Sequence, residues 1–445
     1  MKIGVFGHYG NRNLGDESII EAMISNLRSH IPGCDIVCLS IDPDDSRRRH
    51  QVDAFPIRYR HDFFHPPANA APAPETRQQD TGNPDTASPV PATGLKSRIK
   101  SVPVLGPALK GLAGGLDTLK LVRQEVVFLQ AAKRYLADID LLLVTGSNQF
   151  LDNFGGSWGF PYTLLKWTLL ARASGTRVAF ASIGAGPLTR PLSYRMLRMA
   201  LKRADFVSFR DQGSRDLIRD KVGIDGPVYP DIAHSLRYEP APARRPVEES
   251  QLTIAVNPMP VYDRRYWHLP DDVRYASYVH NLAGLCRVIL QDGHRLVLFS
   301  TQKRDEDVID DILEILGREN SDQDSQARTS IARSSEVPEL MATLDQADIV
   351  VATRFHATVL PLQLGKPVLG ICYYRKAAEL LDDVGLGEFH VAIDSFDTPL
   401  LTGKLRNLIR RYQDGSIDLH PQLVRYRDEL DEQYRIIATL LQPQA

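Results

Sequence analysis

Short apolar runs recur along the chain, separated by longer stretches in which apolar and polar positions keep a helical spacing. The first run, Lys2-Ile3-Gly4-Val5-Phe6-Gly7, leads through a polar, glycine-bearing loop to apolar positions at Ile19, Ile20, Met23, Ile24 and Leu27. Intervals of three and four residues place those side chains on one face of a helix. Asp35–Ile41 predicts a second strand. The alternation resumes with a helix over Leu119–Leu136, the strand Asp140–Val144, a helix over Tyr162–Ala173 and the strand Arg177–Ile183. A helix near Tyr194–Lys202, the strand Phe206–Phe209 and a short strand Pro227–Tyr229 complete this series. Strands joined through helices of this length need crossover connections, which makes the sheet mostly parallel.

A second series begins at Leu252–Val256 and runs through a helix at Asp271–Gln291, the strand Arg295–Ser300 and a helix at Asp305–Leu316. It continues with a helix at Val337–Leu344, the strand Ile349–Ala352, a helix to Leu364, the strand Pro367–Ile371 and a helix from near Lys376. Tyr238–Ser250, with Pro240, Pro242 and Pro246 among charges, reads as the linker between the series. The expected fold class is therefore α/β, with two Rossmann-like parallel-sheet domains facing a cleft, a GT-B-like arrangement. Residues 1–237 form the first domain, 238–250 the linker and 251–419 the second domain. Residues 420–445, with a helix over Gln422–Leu441, are free to pack back on the first. A chain of 445 residues exceeds what one core organises, which agrees with two domains.

The pattern breaks over about 66–94, where seven of the chain's 29 prolines fall between Pro66 and Pro91. Such a stretch buries too little apolar surface to offset its ordering entropy, so it reads as a disordered insertion. Leu95–Leu116 reads as a loop and Asn320–Arg328 as a polar insertion. The formal net charge of -2 supplies no argument for nucleic acid as a partner. Arg47-Arg48-Arg49 reads as solvated loop charge. The four cysteines lack paired spacing, so neither a zinc site nor a disulfide framework is expected. No apolar stretch reaches the roughly 18 residues of a membrane span, and the N-terminus does not read as a signal peptide. The expected location is the cytoplasm, with peripheral association at the inner face of the cell membrane left open.

Candidate chemistry concentrates where apolar runs end. In Val350-Val351-Ala352-Thr353-Arg354-Phe355-His356-Ala357 a strand stops, a cation and an imidazole appear, and a helix begins. Ligands of open α/β sheets bind at the carboxyl ends of strands, and helix N-termini favour anions. Arg354 can thus grip a carboxylate or phosphate through two parallel hydrogen bonds. The alternative is that Arg354 pairs with a nearby Asp and His356 caps the helix. The loop Gly10-Asn11-Arg12-Asn13-Leu14-Gly15-Asp16-Glu17 is neither a dinucleotide fingerprint nor a P-loop. It lets backbone approach a ligand closely, although Asn13 or Asp16 can equally be a helix cap.

That loop, Ser182-Ile183-Gly184-Ala185-Gly186, Phe209-Arg210-Asp211, Pro230-Asp231, Arg354-Phe355-His356-Ala357, and Gly365-Lys366-Pro367-Val368 leading to Tyr374-Arg375-Lys376 occur in this order across both domains. The chain thereby resembles the polysaccharide pyruvyl transferase family over most of its length, apart from the Pro-rich insertion and the tail. The resemblance implies transfer of a pyruvyl group from phosphoenolpyruvate onto two hydroxyls of a sugar in an exopolysaccharide or cell-surface glycan precursor. A cyclic ketal and free phosphate result, and no step needs a metal or other cofactor. The acceptor is expected to be a lipid-linked or nucleotide-linked oligosaccharide. His356 is the expected acid–base group, with Asp16 and Asp211 next in line; Arg354, Arg210, Asn11, Asn13, Gly15, Gly184 and Lys376 are the expected substrate-binding residues. One departure is Gly146-Ser147-Asn148-Gln149, where the family usually shows a glycine-rich run. Two other functions compete: a GT-B glycosyltransferase using a nucleotide sugar, and a non-catalytic glycan-binding relative. Against the first, no carboxylate suited to a ribose follows Arg354-Phe355-His356; for the second, only the altered 146–149 loop speaks.

Overall fold

The structure is a computed structural model that describes residues 1–64, 122–153, 155–239, 251–267, 269–319 and 323–442. The expected Pro-rich insertion, the loop Leu95–Leu116 and residues 240–250 of the expected linker lie outside the described residues.

Two parallel sheets carry the fold. The first contains β1 (Lys2–Phe6), β2 (Asp35–Ser40), β3 (Asp53–Pro56), β4 (Leu141–Thr145), β5 (Asn148–Phe150), β6 (Arg177–Ala185) and β7 (Phe206–Phe209). Its order is β3-β2-β1-β4-β6, and both β5 and β7 pair with β6. The second contains β8 (Thr253–Asn257), β9 (Arg295–Ser300), β10 (Thr329–Arg333), β11 (Ile349–Ala352), β12 (Val368–Cys372) and β13 (His390–Ala392), in the order β10-β9-β8-β11-β12-β13. The α/β class with two Rossmann-like domains is thus the observed one. In both sheets the strand order reverses beside the first strand, at β1/β4 and β8/β11, which is where ligands of such sheets bind. Strands β8, β11 and β12 are buried at every position, as expected for strands covered on both faces.

The sequence pattern misses β3, β5, β10 and β13. These are short strands that each pair with a single neighbour, so one flank needs no apolar cover. In β10 that leaves Ile331 44% exposed and polar residues around it, so no alternation marks the strand.

Buried apolar side chains form two bodies. One lies on a single face of the first sheet, around Phe6, Phe128, Trp167 and Phe180. The other runs from the opposite face, through Ile20, Met23, Leu27, Ile232 and Tyr434, into the second domain at Ile254, Leu340 and Leu360. A shared apolar body of this kind holds two domains in a preferred relation more firmly than a polar interface would. The helix His420–Thr439 crosses back from the second domain to complete it: Leu430, Tyr434 and Ile437 are fully buried. Gln433 Nε2 donates to Ser182 Oγ at 2.8 Å and to Ser208 Oγ at 3.1 Å, both on the first sheet.

The arginines at 47–49 lie in the helix Pro43–His50 rather than a loop, and Arg49 alone departs from solvated charge, Arg47 and Arg48 staying 38% and 59% exposed. The Arg49 side chain is only 5% exposed. Arg49 donates to Asp45 Oδ2 at 2.9 Å and, across the domains, to Glu336 Oε2 at 2.6 Å and the Ser335 carbonyl at 2.7 Å. A run of like charges reads as loop only until its carboxylates are brought to it by the fold.

Candidate active site

The loop after β1 folds chiefly on itself. Asn13 is the N-cap of the helix Leu14–His30, accepting from the Gly15 N–H at 3.2 Å, while its Nδ2 donates to Asp16 Oδ2 at 2.8 Å. Asn11 accepts from the Asn13 N–H at 3.0 Å, and its Nδ2 lies 2.7 Å from His8 Nδ1 and 3.4 Å from Asp16 Oδ2. Glu17, fully buried, accepts from the Gly10 N–H at 2.9 Å and meets His50 Nε2 at 2.9 Å. The amides of Asn11 and Asn13 therefore have loop-building partners at both ends, and the Asp16 carboxylate is held by them.

This rigid loop is pressed against the second domain. The Leu14 N–H donates to the Thr301 carbonyl at 3.0 Å, after β9. Gly15 lies directly beneath His356: a Cβ there would come within 2.7 Å of His356 Cβ and closer still to the ring. Only a residue without a side chain lets the helix Leu14–His30 and the helix Phe355–Gln363 approach this closely.

Arg210 follows β7 and turns inward, its side chain 2% exposed. Nη1 donates to Asp231 Oδ2 at 3.1 Å and to the Gly146 carbonyl at 3.3 Å. Nε and Nη2 are buried without a hydrogen-bond partner, although Asp211 Oδ2 stands 3.7 Å from Nε. The guanidinium carbon lies 4.8 Å from the centre of the Phe355 ring. A Cβ at Gly184 would fall 2.8 Å from Arg210 Cζ, so that glycine provides the room in which the guanidinium sits. The altered loop serves here through its backbone carbonyl at Gly146, while Asn148 Oδ1 is buried beside Gly184 without a partner.

Asp231 anchors the cluster. It is 3% exposed and caps the short turn Ile232–Ser235 by accepting from the Ala233 N–H at 2.9 Å. His356 Nε2 stands 3.7 Å from its Oδ2, an ion-pair distance beyond hydrogen-bond reach, and Nε2 has no hydrogen-bond partner in the structure. Burial by itself would raise the Asp231 carboxyl. The adjoining His356 and Arg210 and the Ala233 N–H outweigh it and hold the group well below the usual carboxylate range. The sequence marked Pro230-Asp231 only as part of a motif; nothing local announced that Asp231 would join Arg210 to His356.

Lys376 enters from the second domain, after β12, with Nζ 4.5 Å from the centre of the Phe355 ring. It has no ion pair or hydrogen bond among the described residues. Burial, and then the neighbouring Arg210, push its ammonium down from 10.5 to about 7; Asp211, Asp231 and Asp16 pull the other way. A lysine so placed exchanges a proton readily near neutrality.

The structure gives two expected residues a different first task. Arg354 does what its alternative reading said: Nε donates to both Asp305 oxygens, at 2.7 and 2.9 Å, and Nη2 lies 2.6 Å from Oδ1. Asp305 is fully buried and also accepts from the Thr301 and Gln302 N–H groups at 3.0 and 3.1 Å. Asp305 thus occupies the Nε–Nη2 edge of the guanidinium. Asp211 is the N-cap of the helix Gln212–Val222, accepting from the Ser214 N–H at 2.6 Å. Arg210, Asp231, His356, Phe355 and Lys376 thus converge between the domains, whereas Asn11, Asn13 and Asp16 bond to one another within their loop and Arg354 pairs with Asp305. Among the described residues, no group of His, Cys, Asp and Glu is placed to hold a metal ion. Likewise no helix among them is long and apolar enough to cross a membrane.

Solved structures with the same architecture include the UDP-GlcNAc 2-epimerase of Methanocaldococcus jannaschii. It is 10% identical, with 99% of this chain and 100% of that chain covered at a TM-score of 0.55. The UDP-GlcNAc 2-epimerase of Neisseria meningitidis bound to UDP-GlcNAc is 12% identical over 99% of each chain, at a TM-score of 0.52. Identities this low establish the shared two-domain fold and nothing about chemistry. No curated protein matches the sequence. The sequence profile of the polysaccharide pyruvyl transferase family matches residues 13–374, a span that runs from the N-cap Asn13 to Tyr374 and takes in Arg210, Asp231 and His356. The chain belongs to the polysaccharide pyruvyl transferase family.

Proposed function

We propose that the protein transfers the pyruvyl group of phosphoenolpyruvate to two hydroxyls of a glycan acceptor, forming a cyclic ketal and releasing phosphate. The observation that carries this reading is a set of cationic nitrogens left without hydrogen-bond partners at the cleft. Arg210 keeps Nε and Nη2 free of hydrogen bonds, and Lys376 faces it without an ion pair, with His356 Nε2 unbonded between the domains. Phosphoenolpyruvate brings a carboxylate and a phosphate, and leaving the buried Arg210 nitrogens unpaired is costly unless a ligand supplies the acceptors.

The chemistry needs protons moved at two places. The methylene carbon gains a proton, positive charge develops at the carbon bearing phosphate, and one sugar hydroxyl adds there. Phosphate then departs and the second hydroxyl closes the ring. The two hydroxyls lose two protons; one ends on the new methyl group and one on the released phosphate. Groups that titrate near neutrality perform such transfers best. Lys376 has that capacity at this point, and His356 Nε2, without a hydrogen-bond partner and 3.7 Å from Asp231 Oδ2, stands beside it as a second group able to carry a proton. Arg210 and Lys376 together bind the donor's anionic groups. The altered 146–149 loop does not oppose catalysis, because its contribution to Arg210 is a main-chain carbonyl.

The test is phosphate release from phosphoenolpyruvate in the presence of glycan acceptors. Release that depends on both substrates, with the acceptor gaining the mass of a pyruvate ketal, is the expected result. Release of a nucleoside diphosphate from a nucleotide sugar under the same conditions would replace this reading with glycosyl transfer.

A further inference from the structure

A second concavity lies on the ligand-facing side of the second sheet. It has a volume of about 560 Å³, within the range of small-molecule sites. Tyr262, Trp267, Tyr373 and Tyr374 form its walls, joined by Arg274 and Asp394. These residues follow the carboxyl ends of β8, β12 and β13 or lie at the start of the next helix, which is where open α/β sheets place ligands. The aromatic rings are held edge to face: Trp267 against Tyr373 at 5.0 Å and 88°, Tyr373 against Tyr374 at 4.4 Å and 82°. Part of this aromatic surface stays open to solvent. Trp267 is half-buried and Tyr374 is 43% exposed.

The wall is built rather than incidental. Tyr262 has a positive φ of 63°, a left-handed conformation that a bulky side chain adopts only when its surroundings compel it. Its hydroxyl donates to Asp394 Oδ1, and the Arg274 guanidinium carbon stacks 4.1 Å from its ring centre while also pairing with Asp394. The loop is further tied to the catalytic side: the Met259 N–H donates to Tyr278 Oη at 3.0 Å, and Tyr278 Oη meets Thr353 Oγ1 at 2.9 Å, next to Arg354.

Charge decides what fits. Arg274 is neutralised by Asp394, and Asp271 adds a second carboxylate to the rim, so the concavity offers no excess of positive charge to a diphosphate. It offers aromatic faces, which pack against the C–H faces of a pyranose, and a ring of charged groups whose remaining donors and acceptors suit hydroxyls. The concavity also adjoins the catalytic cluster. Lys376 Nζ lies 5.5 Å from the Tyr374 ring centre and 4.5 Å from that of Phe355, which in turn covers Arg210.

We propose that this aromatic concavity is the acceptor subsite, binding an uncharged pyranose of the glycan so that its hydroxyls reach the cleft at Lys376. The assignment rests on the pyruvyl-transfer reading for the identity of the glycan as acceptor, and on the geometry alone for sugar binding. Two measurements keep these apart. The first is equilibrium binding, read by tryptophan fluorescence in a Trp158→Phe background, because Trp158 is 67% exposed and Trp167 is buried. Methyl galactoside, methyl mannoside and methyl N-acetylglucosaminide are titrated without phosphoenolpyruvate, with UMP in parallel. Saturable quenching by at least one glycoside, abolished by Trp267→Phe, is expected; quenching by UMP and by no glycoside would overturn the proposal. The second is kinetic. Trp267→Ala and Tyr374→Ala are expected to raise the acceptor KM by about tenfold, the scale of one lost aromatic contact, with the phosphoenolpyruvate KM unchanged. Tyr374→Ala, at an exposed ring, serves if Trp267→Ala folds poorly. An acceptor KM unchanged in a folded variant that still releases phosphate would remove the subsite and leave pyruvyl transfer standing. Glycoside binding without phosphoenolpyruvate-dependent phosphate release would keep the subsite and remove pyruvyl transfer.

Discussion

Gly15→Ala is the sharpest probe of how the two domains form one site. The substitution adds a single methyl group, in a helical position where alanine is intrinsically favoured over glycine by about 0.5–1 kcal/mol. That methyl would lie 2.7 Å from His356 Cβ, whereas ordinary contacts begin near 3.4 Å. Cβ moves only with its backbone, so a rotamer change of the imidazole cannot relieve the overlap. The helix Leu14–His30 or the helix Phe355–Gln363 must shift by roughly 1 Å, since a close-packed interior transmits such strain rather than absorbing it. Overpacking costs about 1–3 kcal/mol, partly offset by the helix preference of alanine, so the variant should remain folded. Its turnover should fall by about 10²-fold, the usual consequence of misplacing a reacting group by 1 Å. Phosphate release gives the turnover, and a thermal melt gives the stability. In a His356→Gly background the overlap is gone, and there Gly15→Ala should no longer cost stability. Wild-type turnover in Gly15→Ala would refute both the apposition of Gly15 with His356 and the role of His356 in the reaction.

Three further outcomes follow from the same geometry. Arg210→Ala should abolish tight phosphoenolpyruvate binding in titration calorimetry and also lower stability by about 3–5 kcal/mol in chemical denaturation, because it leaves Asp231 buried with a partner lost; Arg210→Lys should restore part of the stability but not the affinity. For Lys376, the folded pKa of about 7 lies below the unfolded value of 10.5, so the folded protein binds fewer protons between those limits and stability rises with pH across that window. Lys376→Met should therefore be more stable than the parent at pH 6, with the difference closing toward pH 10 in melts run at each pH; a pH-independent difference would contradict the lowered pKa of this ammonium. Ile437→Ala should cost about 2–5 kcal/mol, since its side chain fills the body shared by the terminal helix and the first domain, and denaturation measures this directly.

Much of the architecture was legible in the chain because it depends on short-range pattern. Runs such as Leu141–Val144 and Ile349–Ala352 are apolar at every position, and the crossover helices between them leave a parallel sheet as the solution. The fold class, the membership of the family and the position of the motif loops at strand ends all come from that pattern and from ordered motifs. Edge strands such as β10 were not legible, since half their surface faces water and carries no periodicity.

The site divides along the same line. Arg210, His356, Lys376, Gly15 and Gly184 were visible as residues at strand ends or in glycine-bearing loops. What each does depends on partners far away in sequence. Gly15 matters because His356 arrives over it, and Arg210 because Asp231 takes one nitrogen and leaves two. Arg354 and Asp211 show the converse: strand-end chemistry marked them, yet Asp305 occupies the Nε–Nη2 edge of one and the Ser214 N–H an oxygen of the other. Local sequence specifies which groups can bind or transfer a proton. Whether a group is left free to do so is a matter of which buried partners satisfy it, and in this chain those partners are brought by the tertiary fold, across a cleft between two domains.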